Sequence, residues 1–166
     1  MREADFAVFC PNNIGRPCFS YEASQEAYDH FVQNIGFDIY KNVDGVIGSL
    51  KREYDSVFVL GFSVGATIAW RCCENQLCDG IVACYGSRIR DYPDLTPACP
   101  TLLLFAARDS FDVDYLAGQL QGKDSLTVRI FDAAHGFLDP FSPHYDKIQA
   151  DSAAAAILEF LSETSK

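Results

Sequence analysis

The segment Gly61-Phe62-Ser63-Val64-Gly65 constrains the fold more than any other part of the chain. Ahead of it runs Ser56-Val57-Phe58-Val59-Leu60, continuous and apolar, as in a strand buried on both faces. Behind it, Val64 to about Leu77 reads as a helix. A chain that passes from strand to helix over so few residues turns sharply and leaves its corner residue strained, with the side chain pointing outward. The residues two before and two after the corner approach each other, so glycine at 61 and 65 is expected to remove a clash.

The remaining pattern continues that alternation. Phe6–Cys10 is a strand candidate, stopped by Pro11-Asn12-Asn13. Glu22 to Asn34 reads as a helix, with Tyr28, Phe31, Val32 and Ile35 on one face. Gly36 is a stop, and Asp38 a cap for a second helix to about Lys51 that places Tyr40, Val43, Ile47 and Leu50 together. Ile81 to Tyr85, Thr101 to Ala106 and Leu126 to Phe131 are further strands. Val113 to Leu120 and Lys147 to about Leu161 are helices, the second packing its Ala153–Ala156 block, Ile157, Phe160 and Leu161 inward. Gly86 to Pro100 is expected to be an exposed loop. Strands alternating with helices predict an α/β-hydrolase-like three-layer sandwich of about five parallel strands, helices on both faces, as a single domain over residues 1–166.

Composition excludes several classes. Thirteen basic against 23 acidic side chains give a net charge of −10, which argues against nucleic acid and anionic lipid as partners. No apolar run approaches the roughly 20 residues of a membrane helix. The start Met1-Arg2-Glu3-Ala4-Asp5 is unlike a secretory signal, so a soluble cytoplasmic protein is expected. Seven cysteines, among them Cys10, Cys18, Cys72, Cys73, Cys78 and Cys84, match no zinc-ligand spacing and read as small buried hydrophobes in a reducing compartment. No metal and no organic cofactor is expected.

In an open parallel sheet, ligands bind beyond the carboxyl ends of the strands. Ser63 stands at one such end. A serine hydroxyl needs a base to take its proton. Of His30, His135 and His144, only His135 follows a strand directly, in Asp132-Ala133-Ala134-His135-Gly136-Phe137, where small neighbours leave the imidazole room. His30 lies mid-helix beside Asp29, and His144 in a polar loop. The base needs an acid to orient it. Asp109 is the first carboxylate beyond strand 101–106, with Asp112 and Asp114 next. The order Ser63, Asp109, His135 is that of α/β-hydrolases. The helix N-terminus offers the Val64 N–H to an oxyanion. Phe62 is expected to border the substrate, and Arg88, with Arg90, to receive a substrate carboxylate.

Four elements resemble the dienelactone hydrolase family of α/β-hydrolases. They are Gly61–Gly65 with Ala66 following, Tyr85-Gly86, Arg108-Asp109-Ser110-Phe111, and Ala134-His135-Gly136-Phe137. The resemblance covers roughly residues 5 to 161. It implies Ser63 as nucleophile, Asp109 as acid and His135 as base in the hydrolysis of esters or lactones through an acyl-enzyme, with neither metal nor organic cofactor. The dienelactone hydrolases proper carry cysteine where this chain has Ser63. The family also places further strands ahead of the one that Phe6–Cys10 matches, and a loop after one of them supplies a second oxyanion donor. Here either that loop is absent or Pro11-Asn12-Asn13-Ile14-Gly15 stands in for it.

The expectation is a serine hydrolase of a small ester, lactone or thioester. The alternative is a catalytically idle α/β-hydrolase-like module that binds a ligand or partner. An unprotected first strand would also invite a homodimer through the sheet edge.

Overall fold

A computed structural model of the chain describes residues 6–12 and 19–165. The chain divides into two compact units, residues 1–39 and residues 40–166; the sheet and the residues picked out for chemistry lie in the second. The first unit holds helix α1 (Ser24–Asn34), entered through a 3-10 turn at Tyr21–Ala23 and followed by another at Phe37–Ile39. Phe31 is buried and packs edge-on against Phe37 at 5.1 Å, while Val32, expected on the same face, is 45% exposed.

The second unit runs α2 (Tyr40–Leu50), β1 (Phe58–Phe62), α3 (Val64–Arg71), β2 (Gly80–Cys84), β3 (Thr101–Arg108), α4 (Val113–Leu120), β4 (Leu126–Ala134) and α5 (Lys147–Thr164). The strands form one parallel sheet in the order β1-β2-β3-β4. Alternate residues of the central strands feed two cores, as a pleated strand requires. Ile81, Ala83, Leu103 and Phe105 join Ile47 of α2, Trp70 of α3 and Leu116 of α4 on one face. Val82, Cys84, Leu102, Leu104 and Ala106 join Phe137 and Ala153 of α5 on the other. This is the three-layer α/β-hydrolase-like arrangement, a parallel sheet flanked by helices.

Among the described residues the sheet has four strands, where about five were expected. Phe6–Cys10 forms no strand, and Phe6, Val8 and Phe9 are 45%, 80% and 51% exposed. An apolar run satisfies strand propensity, but a strand exists only where a partner ladder takes up its hydrogen bonds. The edge expected there is not formed. Cys18 and residues 13–15 of the turn expected to stand in for the second oxyanion loop lie outside the described residues.

Other boundaries move for identifiable reasons. The strand expected at 56–60 begins at Phe58 and continues through Gly61 and Phe62, which pair with Ala83 and Cys84. It is not buried on both faces, since Leu60 and Phe62 are 49% and 45% exposed. Helix α3 ends at Arg71 rather than near Leu77: the Cys72 N–H bonds back to Ala69 and the Cys73 N–H to Trp70, tightening the last turn. Residues 86–100 are not wholly an exposed loop. A 3-10 turn at Ser87–Asp91 buries Ile89, and Cys99 is buried beside it in the core. In α5 only Ala153 and Ala156 of the alanine block are buried, because 3.6 residues per turn cannot turn four consecutive positions inward.

Cys72, Cys73, Cys78, Cys84 and Cys99 are buried, whereas Cys10 is exposed. Burial pushes the Cys73 and Cys84 thiols up to about 12. No group of three metal-ligating side chains is found among the described residues, and no described helix is long and apolar enough to cross a membrane.

Candidate active site

The site begins with the backbone of the turn after β1. Ser63 sits at φ 51°, ψ −113°, a conformation that L-residues rarely adopt. Three backbone hydrogen bonds hold it there. Its N–H donates to the Cys84 carbonyl at 2.9 Å, continuing the sheet ladder, and its own carbonyl accepts from the Ala66 N–H at 3.1 Å and the Thr67 N–H at 3.3 Å, starting α3. A Cβ at residue 61 would lie 2.1 Å from the Gly65 carbonyl oxygen, so glycine is required there. At residue 65 a Cβ would meet nothing within 4 Å. The close approach therefore depends on Gly61 alone, which corrects the paired requirement expected from sequence: the missing side chain at 61 makes way for the backbone of 65, and the converse does not hold.

The Ser63 hydroxyl lies 2.9 Å from Nε2 of His135. His135 follows β4, and a register shift immediately ahead of it sets its position. Ala106 pairs with Phe131 but Arg108 pairs with Ala134, so β4 carries one residue more than β3 over this interval. Bulges of this kind re-aim the side chains that follow them. The His135 N–H then donates to the Arg108 carbonyl at 3.1 Å. Gly136 has φ 87°, and a Cβ there would lie 2.9 Å from the Ser142 hydroxyl. The small neighbour on that side is thus a backbone necessity.

Nδ1 of His135 stands 2.7 Å from Oδ2 of Asp109, whose side chain is 2% exposed. The other carboxylate oxygen accepts from the Ser110 N–H at 2.6 Å and its hydroxyl at 3.1 Å. Burial alone would raise the Asp109 pKa; the hydrogen bonds from His135 and Ser110 outweigh it and hold the carboxyl below its ordinary value. Of the other two acids, Asp112 caps α4 by accepting from the Tyr115 N–H at 2.9 Å, and Asp114 lies in that helix's first turn. The structure brings Asp109, and neither of these, to His135.

Among the other residues singled out from sequence, Val64 opens α3, where the first amides have no partner within the helix. Phe62 is 45% exposed beside Ser63, its ring 6.1 Å from that of Tyr85. Arg88 pairs with Asp91 at 3.2 Å. Arg90 donates to the Ser87 carbonyl and stands 5.3 Å over the Phe111 ring. His30 is in the first unit, 3.2 Å from the Asn34 amide, and His144 is exposed.

Sequence reasoning missed Ser110 and Tyr85 as parts of this site. An aspartate followed by serine in a loop is the signal for the first, since short polar side chains there bond local amides. Tyr85 carries no such signal. It is buried, has φ 44°, and packs its ring 5.0 Å from the His135 imidazole and 5.7 Å from Phe137.

Comparison with known proteins places the chain in a family. The model of the Dienelactone hydrolase family matches residues 2–165. The uncharacterized protein YczH of Bacillus subtilis (strain 168) is 37% identical over 153 residues, which cover 89% of this chain and 74% of that protein. A crystal structure from Klebsiella pneumoniae subsp. pneumoniae MGH 78578, of a protein assigned as a dienelactone hydrolase, superposes with a TM-score of 0.70 at 17% identity. That match covers 83% of this chain and 66% of the solved one, and it supports the fold alone. The parallel sheet, its turn at Ser63 and the family match over nearly the whole chain lead to one conclusion: this chain belongs to the dienelactone hydrolase family, and is a hydrolase by that membership.

Proposed function

We propose that the chain is a serine hydrolase that cleaves a small ester, lactone or thioester through an acyl-enzyme. One observation carries this reading: an unbroken line of hydrogen bonds from Asp109 through His135 to Ser63, at 2.7 and 2.9 Å. In this reading His135 Nε2 removes the Ser63 proton as the hydroxyl oxygen attacks the acyl carbon. The carbonyl π electrons move onto oxygen, and the Val64 N–H stabilises the oxyanion. Collapse expels the alcohol or thiol, which takes its proton from His135. Water then repeats the sequence on the acyl-Ser63 ester and releases the acid.

Asp109 orients the imidazole so that Nε2 faces Ser63 and stabilises the imidazolium formed during attack. Its burial and its Ser110 contacts support that role, because a carboxylate held on both oxygens cannot turn away from His135. A fluorophosphonate probe tests the reading. Labelling of the wild type that disappears in Ser63→Ala supports it, while an unlabelled wild type points to the idle ligand-binding module.

A further inference from the structure

The rim of the site carries information about the acyl group, and the reasoning rests on the hydrolase reading at Ser63. Phe62 directly precedes Ser63 and stays 45% exposed. Its ring is 6.1 Å from Tyr85, and the Tyr85 ring is 5.0 Å from the imidazole that holds the Ser63 hydroxyl. An aromatic strip thus runs from open surface to the reacting atoms.

Of Arg88, Arg90, Arg108 and Lys147, which follow these strands, three stand against an acid. Arg88 after β2 pairs with Asp91, and Arg108 at the end of β3 pairs with Asp132. Arg90 donates to the Ser87 carbonyl and stands over Phe111. Lys147, which opens α5, is 2.7 Å from Asp151. Against a net charge of −10, these pairs leave Arg90 as the one of the four without an acid beside it among the described residues, a weak field with which to draw in an anion.

We infer that the site takes an ester with a neutral, apolar acyl group, aromatic by preference, which lies against Phe62 while its carbonyl meets Ser63. The expectation that Arg88 receives a substrate carboxylate gives way to this one. An anionic acyl group would compete with Asp91 for Arg88 or with Asp132 for Arg108.

The test compares two 4-nitrophenyl esters that share a leaving group, the neutral 3-phenylpropionate and the anionic succinate, with Ser63→Ala as the blank. The phenylpropionate is expected to have a kcat/KM about tenfold higher or more, the scale of covering part of one aromatic group. Added salt should raise the succinate rate and leave the other nearly unchanged, because it screens repulsion. Phe62→Ala should narrow the preference mainly through KM, and Phe62→Leu should keep most of it. Circular dichroism establishes that both variants fold. Equal or faster turnover of succinate, with Ser63 still labelled by the fluorophosphonate, overturns this inference and leaves the hydrolase reading standing. No turnover of either ester and no label at Ser63 overturns both.

Discussion

The 2.7 Å contact between Asp109 and His135 joins two different media: the carboxylate is 2% exposed and the imidazole 36%. Burial on one side fixes the acid, and openness on the other leaves the base accessible to whatever binds at Ser63. Asp109→Asn keeps the shape but can donate to Nδ1, turning the imidazole to the tautomer whose Nε2 carries a proton. The expected fall in kcat is about 10⁴, with little change in fold, measured on an activated ester.

The lowered Asp109 pKa also has a consequence for stability. In the pH range between its folded value and its ordinary value of 3.8, the unfolded chain takes up a proton that the folded chain refuses. The stabilising contribution is therefore present above the ordinary value and is lost as pH falls through the folded one. Urea titrations from pH 7 down to 3 should show the wild type losing stability more steeply than Asp109→Asn over the acid end. Equal slopes would contradict the assignment.

Gly61 and Gly65 should separate cleanly. Gly61→Ala drives a methyl to 2.1 Å from backbone that cannot move without unwinding the start of α3. A loss of about 3 kcal/mol or more is expected, on the scale of severe overpacking. Gly65→Ala meets open space in a helical position and should leave thermal stability unchanged or slightly raised.

Tyr85 combines a left-handed backbone with a ring against the His135 imidazole. Tyr85→Gly suits φ 44° but removes the ring, so kcat should fall about tenfold, the lower end of what a misplaced base costs. Tyr85→Val adds a β-branched residue where the backbone disfavours one, and should cost a further 1 to 3 kcal/mol or so in urea unfolding.

The buried thiols make a fifth set of expectations. Iodoacetamide at pH 8 should modify Cys10 in the native chain and reach Cys72, Cys73, Cys78, Cys84 and Cys99 only after unfolding, because all five are buried away from the reagent and burial also raises the Cys72, Cys73 and Cys84 thiols. Peptide mapping by mass spectrometry reads this out. Rapid native labelling at Cys84 would mean that the core beneath Ser63 opens.

Much of the site was legible because its signals are local. A strand, a glycine, a serine and a helix within a dozen residues are enough to announce a sharp corner, and small residues around His135 announce room for its imidazole. The chain order of Ser63, Asp109 and His135 is likewise a property of the sequence alone. Tertiary structure decided what depends on partners far along the chain. Phe6–Cys10 has the composition of a strand and is not one, because a ladder requires a neighbour. Asp109, Asp112 and Asp114 are equivalent in a list of residues. They differ once β4 gains its extra residue beside β3, bringing His135 to Asp109 and leaving Asp112 to cap a helix. Periodicity records which side of an element is apolar; only pairing and packing decide which side chains meet.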